Sequence, residues 1–585
     1  IRIPDMKKNN YFKVISMIYK YCFAIFMLVM GFLSVKSQVV FLGGLLELLF
    51  IFLISDLLFN IHKTTGRVIN VVLLLIFNIQ STVYYFGSSF ITTFMLSNLA
   101  SLHDLKSKFV IYGIFIVLLI LSAATPMYGI PFSRKKSIRI VISSLFAVLA
   151  TALYICFNVM ISSAGSHFVN TAKLIYEECS LYVQNKKVQS VSAGLFTSEV
   201  DPQANSSGRE LLQSMGILPE DSESSDDISS PDSDKKTAAL EERKQKLSDK
   251  PNVILIFSEG TSRHIIDDER GIMPEVADYM SRSICFDNYF NSSFATYHAL
   301  ISQFYSGYQM NNEDYNYLIS LPMIMSENGY RSVMVNTEPD NKMFTDYLNS
   351  MRFDRISSAG ENQIFDKRAY ELLFDEVCKL NEEDSEEPYF LSIYTFGTHV
   401  NLTNADVIFE PDPTNLLNRF RNSSAWFGNF MEKLEENGYL EDTIVIYTSD
   451  HSIYKDNDFW DNFPDYEVSF EACGSCDNIP LFIYYDGVEH SVIDANGKNS
   501  IDIAPTILDF IGISGDNFFL GNSLFSTDNY QTDFETTYWC ETNMCSTENG
   551  VIRELTAEEN EEMTDKIQRY IALSLDKTAT SKEES

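Results

Sequence analysis

VILIFSEG, residues 253–260, and IVIYTSDH, residues 444–451, share one design. Each is a short apolar, β-branched run that reads as a buried strand. Each stops abruptly at side chains that bind metals: Glu259 in the first, Asp450 and His451 in the second. In open parallel α/β sheets, ligands gather beyond the carboxyl ends of the strands. Two carboxylates and an imidazole brought to that edge predict a metal site. Working outward, strands alternate with helical patterns from residue 251 onward: RSVMVN at 331–336, YFLSIYTF at 389–396 and PLFIYY at 480–485, with a long helix over 415–438 that stops at Gly438. This alternation predicts a mainly parallel sheet with helices on both faces, in a domain spanning 251–528.

The 585 residues exceed one ordinary domain, and the charge divides them. Residues 1–161 hold 14 Lys/Arg against 4 Asp/Glu; the remainder holds 30 against 75. No basic patch suits nucleic acid. The acidic excess reads as a solvated surface. The first part, 1–162, reads as a membrane domain with five spans, at 14–35, 39–60, 68–86, 109–128 and 140–162. A secretory signal is a poor alternative, because further spans follow the first. Lys7, Lys8 and Lys13 precede span one, His62, Lys63 and Arg67 join spans two and three, and Arg134, Lys135, Lys136 and Arg139 join four and five. The positive-inside rule places these regions in the cytoplasm. The expected protein is therefore a multi-pass protein of the cell membrane, with a cytoplasmic N-terminus and everything after the fifth span outside.

The segment 88–102 is apolar but short, and suits an interfacial or re-entrant helix. Glu47 and Asp56 fall inside span two, where acids are costly and often functional. Glu47 is either functional or paired with a polar group on another span, such as Asn78 or Gln80; Asp56 is expected to snorkel toward the interface. Residues 163–250 read as a helical connector followed by an acidic, disordered linker, in which SESSDDISSPDSDKK lacks large apolar groups. Residues 529–585 read as a tail with one helix near 557–575. Of nine cysteines, Cys473/Cys476 and Cys540/Cys545 form close pairs. Short-loop disulfides suit them in an oxidising compartment, and a four-cysteine zinc site is the sharper but less regularly spaced alternative.

The nucleophile comes from NSSFATYHALISQFYSG, 291–307, where Thr296 precedes a helical pattern running to Gly307. A hydroxyl there is either a plain N-cap or a group placed where backbone N–H donors favour anions. A neutral hydroxyl is a weak nucleophile, and a bound divalent cation corrects that by favouring the alkoxide.

These elements in this order resemble the sulfatase-type members of the alkaline phosphatase superfamily. SIDIAPTILDFIGISGDNFFLGNSL, 500–524, looks like that family's C-terminal signature. With the preceding spans, the chain looks like the lipoteichoic acid synthase and phosphoethanolamine transferase group. The resemblance implies an α/β sulfatase-like domain and one divalent metal on Glu259, Thr296, Asp450 and His451, a set of three oxygens and one nitrogen that suits Zn²⁺ or Mn²⁺ better than Mg²⁺. It further implies a phospho-head-group, of glycerol phosphate type, moved from a membrane phospholipid through phosphothreonine at Thr296 to a cell-envelope polymer or lipid. His399, in YTFGTHVNL, resembles the substrate-side histidine of these transferases; otherwise it is a satisfied structural histidine. Three departures matter. Thr296-Tyr297-His298-Ala299-Leu300 replaces the Cys-x-Pro-x-Arg type motif, so no formylglycine forms and sulfate-ester hydrolysis is disfavoured. Glu259-Gly260 replaces a pair of aspartates, which points to one metal. The stretch 335–356 lacks the His and Trp that help bind glycerol phosphate, which weakens that head group. The alternatives are a phosphoethanolamine transferase, a phospho- or sulfo-ester hydrolase on the same scaffold, and a non-catalytic envelope-binding ectodomain.

Overall fold

The computed structural model describes residues 4–87, 90–91, 95–96, 109–129, 135–160, 165–176, 179, 208–220, and 232–574 apart from 309–317, 361, 384–386, 400–401, 403–405, 413–414, 471–472, 528–529 and 541–542. The chain divides into two compact units, Ile1–Tyr182 and Val183–Ser585.

The first unit is helical. Its long helices are α1 (Pro4–Val35), α2 (Gln38–Ile61), α3 (Lys63–Gly87), α4 (Phe109–Ala124) and α5 (Lys136–Met160). Four carry stretches long and apolar enough to cross a membrane: Ile18–Val35, Gln38–Ile61, Lys63–Gly87 and Lys136–Val159. The expected fourth span, 109–128, is shorter than predicted. It stops at Ala124 because Pro126 disfavours a helical residue before it. Sixteen residues rise only about 24 Å, less than the hydrocarbon thickness of roughly 30 Å. The interfacial segment 88–102 lies mostly outside the described residues.

Buried polar groups in this unit satisfy one another. Asp56 is fully buried rather than snorkelling, and accepts from Ser143 Oγ at 2.5 Å and Asn60 Nδ2 at 3.1 Å. Glu47 does not pair with Asn78 or Gln80. Its Oε1 accepts from Ser166 Oγ (2.5 Å), Tyr154 OH (3.1 Å) and Phe168 N–H (3.2 Å), and its Oε2 from the backbone N–H (3.0 Å) and Nδ1 (2.7 Å) of His167. The carboxylate thus caps the chain that restarts beyond α5, because those N–H groups have no helical acceptor.

The second unit is built on an eight-stranded sheet of order β4-β3-β5-β1-β6-β7-β2-β8. Its strands are β1 (Asn252–Ser258), β2 (Ile284–Asp287), β3 (Arg331–Val335), β4 (Arg355–Ser357), β5 (Tyr389–Tyr394), β6 (Thr443–Ser449), β7 (Leu481–Tyr484) and β8 (Ser491–Asp494). All neighbours pair in parallel except at β7, which is antiparallel to both β6 and β2. β1 is central, and its side chains alternate between two cores. Val253, Leu255 and Phe257 enter one; Ile254 and Ile256 enter the other. Burial on both faces explains the unbroken apolar run in its sequence.

Two expected boundaries change. The predicted linker contains ordered helices, Gly208–Ser214 and Ser233–Lys246. Leu211, Leu212 and Ala239 join the core, and Arg243 donates through Nη2 to Ile511 O at 2.9 Å. Residues 221–231, in the most acidic stretch, lie outside the described residues. The predicted tail is likewise part of the unit. It forms a three-stranded antiparallel sheet of β9 (Thr537–Cys540), β10 (Asn543–Ser546) and β11 (Arg553–Glu554). Its helix, Ala557–Ser574, buries Ile567, Tyr570 and Leu573 in the main core, where Tyr570 OH donates to Phe518 O at 3.0 Å. A Cβ on Gly307 would overlap the Tyr570 hydroxyl, so the two segments are fitted to each other.

Candidate active site

The register of the two motif strands builds the site. β1 and β6 are hydrogen-bonded neighbours with Ser258 opposite Ser449. The residues that follow each strand, Glu259 on one side and Asp450-His451 on the other, therefore emerge at the same level of the sheet edge. Ser449 Oγ donates to Ser258 O at 2.7 Å, and Thr261 N–H donates to Ser449 Oγ at 2.9 Å, which ties the strand ends together.

Glu259, Asp450 and His451 are all buried, and each offers one ligand atom within 4.8 Å of the others. His451 Nε2 lies 3.4 Å from Asp450 Oδ2 and 3.8 Å from Glu259 Oε1. Its Nδ1 donates to Ser452 O at 2.7 Å, which fixes the tautomer and leaves the Nε2 lone pair toward the carboxylates. Asp450 Oδ1 accepts the N–H groups of Gly260 (2.9 Å) and His451 (2.8 Å), but the buried Oδ2 has no hydrogen-bond partner. Burial, then the Glu259 charge, push Asp450 up to about 7. Burial acts to lower His451, but Asp450 and Glu259 outweigh it and raise the imidazole. Two carboxylates, one with an oxygen that no hydrogen bond reaches, and a ring nitrogen on the same side fit a bound divalent cation, whose charge would relieve the repulsion.

Thr296 stands at the start of helix α6 (Thr296–Tyr305), with Oγ1 donating to Glu259 Oε2 at 3.2 Å. It is the first helical residue, not the N-cap. The N-cap is Ala295, which has no side-chain acceptor and adopts φ +67°, a conformation that costs an alanine energy. No side chain caps the helix, so its N-terminal N–H groups remain disposed toward an anion beside Thr296. Glu259 is steadied from behind: Tyr394 OH donates to Oε2 at 2.5 Å and Thr398 Oγ1 donates to the backbone carbonyl at 2.5 Å. The ring of Phe294 packs 4.5 Å from that of His451.

His399 is not among the clustered ligand groups. It is half-buried on the loop after β5, next to Thr398, with its ring stacked at 4.7 Å on Phe396. His264 is instead enclosed by Phe459, Phe463 and Tyr466, and His298 is held neutral by burial, which lowers it to about 4. His490 Nδ1 bonds Ser283 O at 2.9 Å, far along the chain from these groups.

Two neighbours were not evident in the sequence. Arg419, in helix α7 (Leu416–Glu436), is 3% exposed and donates through Nη1 to His399 O at 2.6 Å. Its buried Nε has no partner, and among the described residues no carboxylate lies within ion-pair distance of it. The nearby charges of Asp456, Asp458 and Glu259 favour its charge, but burial outweighs them and lowers it. Glu338 is 3% exposed, and Asn341 Nδ2 bridges its Oε2 (3.1 Å) to the hydroxyl of Tyr297 (2.6 Å), the residue after Thr296. Nothing in the local sequence separates either residue from an ordinary polar position; only the folded loops bring them here.

Residues 251–513 match the family model described as Sulfatase. A search of curated proteins finds no match. Among solved structures, the lipoteichoic acid synthase LtaP from Listeria monocytogenes is 16% identical, with a TM-score of 0.44, covering 59% of this chain and 97% of its own. A protein in the alkaline phosphatase superfamily from Vibrio parahaemolyticus is 15% identical, with a TM-score of 0.46, covering 64% and 95%. The phosphonate monoester hydrolase SpPMH from Silicibacter pomeroyi is 12% identical, with a TM-score of 0.34, covering 47% and 76%.

Proposed function

Residues 251–513 form a domain of the sulfatase family, and from that premise we propose that the chain is a membrane-anchored phosphotransferase acting through Thr296. The observation that carries this reading is a threonine hydroxyl 3.2 Å from a carboxylate of a three-residue ligand cluster, at an uncapped helix start. Threonine cannot become formylglycine, so a phosphoryl centre suits it better than a sulfate ester.

In the proposed reaction, Glu259, Asp450, His451 and Thr296 would hold one divalent metal, Mn²⁺ or Zn²⁺. Such an ion supplies charge that favours the threonine alkoxide and draws electron density from phosphoryl oxygens. The Thr296 proton leaves toward Glu259 Oε2, its hydrogen-bond acceptor. Thr296 Oγ1 then bonds to phosphorus of a phospholipid head group, and the bond from phosphorus to the diacylglycerol oxygen breaks. The leaving oxygen takes a proton, for which His399 is the donor. The N-terminal N–H groups of α6 and the Arg419 guanidinium offset charge on the phosphoryl oxygens. An acceptor hydroxyl of the cell envelope next gives its proton to His399 and bonds to phosphorus, the bond from phosphorus to Thr296 Oγ1 breaks, and Oγ1 takes back the proton held by Glu259; water in place of the acceptor would give hydrolysis. The membrane donor, the envelope acceptor, the extracytoplasmic placement of the domain and the cytoplasmic N-terminus belong to this proposal.

A glycerol phosphate head group is the first reading. An ethanolamine head group is the second, favoured by the buried carboxyl of Glu338 beside Tyr297, which suits an ammonium. The test supplies membranes with labelled phosphatidylglycerol and, separately, labelled phosphatidylethanolamine. The wild type should label Thr296 and an acceptor from one of them, and Thr296→Ala should label neither. Undiminished transfer by Thr296→Ala overturns the reading.

A further inference from the structure

The fold gathers four cysteines that sequence spacing divides into two near pairs. Cys473 and Cys476 lie beyond the ligand strand β6, Cys540 ends β9, and Cys545 lies in β10; all four are buried. The thiol of Cys545 neighbours the thiols of both Cys473 and Cys476, with Cys473 the stronger influence on it. Separate geometry agrees. A cavity of about 390 Å³ is lined by Cys473 and Cys476 together with Val551 and Ile552, and β11 then places Glu554 opposite Cys545. The near pairing Cys540–Cys545 fits poorly. In the hairpin Cys540 faces Asn543 and Cys545 faces Tyr538, so the two are diagonal neighbours. Diagonal Cα atoms lie about 7–8 Å apart, at or beyond what a disulfide spans. Cys540 instead turns its Sγ toward Phe294 O, at 3.8 Å. Nor do the thiols close into one ligand shell: among the described residues, Glu259, Asp450 and His451 form the one group close enough to hold a metal.

Both segments that meet at Cys473 and Cys545 hold the stretch leading to Thr296. Asn291 donates through Nδ2 to Ser475 O (2.9 Å) and accepts at Oδ1 from Asp477 N–H (2.9 Å). On the other side, Trp539 N–H donates to Ser292 O (2.9 Å). We propose that a disulfide joins Cys473 to Cys545 and clamps these two supports around residues 291–295. The bond closes a loop of roughly 70 residues, long enough to restrict the unfolded chain substantially. In its formation two thiols lose two protons and two electrons to a disulfide-bearing oxidant, which leaves as a dithiol. Cys476, in contact with Cys545, is the neighbour placed to exchange with it.

The full-length chain, extracted from membranes, acid-quenched and alkylated without reductant, tests this by fragmentation mass spectrometry. The expected product is a species linking Cys473 to Cys545, lighter by two hydrogens than the thiol form and unalkylated at both. Cys476→Ser should keep the link. Reductant should lower the melting temperature of the wild type and leave that of Cys473→Ser unchanged; if that variant does not fold, the wild-type map decides alone. Alkylation of both cysteines, links within either near pair, or one zinc per chain released by thiol modification would each overturn the proposal. None of these outcomes depends on which group Thr296 transfers.

Discussion

Two buried clusters in this molecule join a carboxylate to an imidazole, and they differ in what is left over. In the helical unit, Glu47 and His167 are closed. Both carboxylate oxygens accept hydrogen bonds, His167 Nδ1 donates to Glu47, and its Nε2 pairs with Ser81 Oγ at 2.9 Å. In the sheet unit, Glu259, Asp450 and His451 are open. Asp450 Oδ2 has no hydrogen-bond partner, and His451 Nε2 stands 3.4 Å from it and 3.8 Å from Glu259 Oε1. Buried polar groups are normally satisfied. The closed cluster therefore explains itself as a cap, and the open one calls for a cation.

The sharpest way to break that comparison is to remove a carboxylate from each. Asp450→Asn should lose the bound metal and lower head-group transfer on the order of 10²-fold or more, the scale of losing one charge-stabilising group. Metal per chain and turnover of the purified protein check it. Glu47→Gln should leave metal per chain at the wild-type value. If Glu47→Gln stripped the metal, or Asp450→Asn kept it, the distinction between open and closed clusters would fail. Glu47→Ala is expected to act on stability instead. It leaves His167 and Ser166 without their buried acceptor, at a cost of about 3–5 kcal/mol, read as a lower melting temperature in detergent.

The open cluster was legible because its parts follow simple rules. Unbroken β-branched runs mark strands buried on both faces, and the chemistry stands at their ends. Their adjacency in the sheet was not written in either run; the pairing of Ser258 with Ser449 supplies it. β2 and β8 escaped notice because four residues, ICFD and SVID, carry too little periodicity. The order in 233–246 escaped because that helix packs largely through polar side chains: Lys236 and Arg243 are buried alongside Ala239. Glu47 was recognised as costly, but its partner lay about 120 residues away, beyond any local pattern. Arg419 was hidden for the opposite reason. On an amphipathic helix an arginine reads as solvated, and only the fold shows it buried beside His399.

Arg419 offers a middle-sized test, because a buried cation with no carboxylate at ion-pair distance among the described residues is the mirror image of the Asp450 oxygen that no hydrogen bond reaches. If a phosphoryl group completes it, Arg419→Ala should lower kcat/KM by about 10–100-fold with metal per chain unchanged, and Arg419→Lys should recover part of the loss. A pure packing role predicts a falling melting temperature with kcat/KM of the folded fraction intact, which would remove Arg419 from the site.

The smallest expected effect concerns a third buried carboxyl, Asp366, which is not one of the clustered ligand groups. Its Oδ1 accepts Gly397 N–H at 2.9 Å, the side chains of Ser423 and Asn422 stand beside it, and burial outweighs them and pushes it up to about 7. Gly397 is required there, since a Cβ would lie 2.2 Å from Oδ2. The sign follows from where the proton resides. Between the ordinary carboxylate value of 3.8 and about 7, the folded chain keeps the proton that the unfolded chain has lost. Stability from this group therefore falls as pH rises through that window, and levels off above it. Asp366→Asn keeps an acceptor for Gly397 but cannot ionise. Relative to wild type, the variant should gain melting temperature steadily from pH 4 to 7, and nothing further above pH 7. A flat difference across that range would mean that the site admits water and that Asp366 ionises as an ordinary surface acid. The open cluster at Asp450 would then stand as the more deeply desolvated of the two.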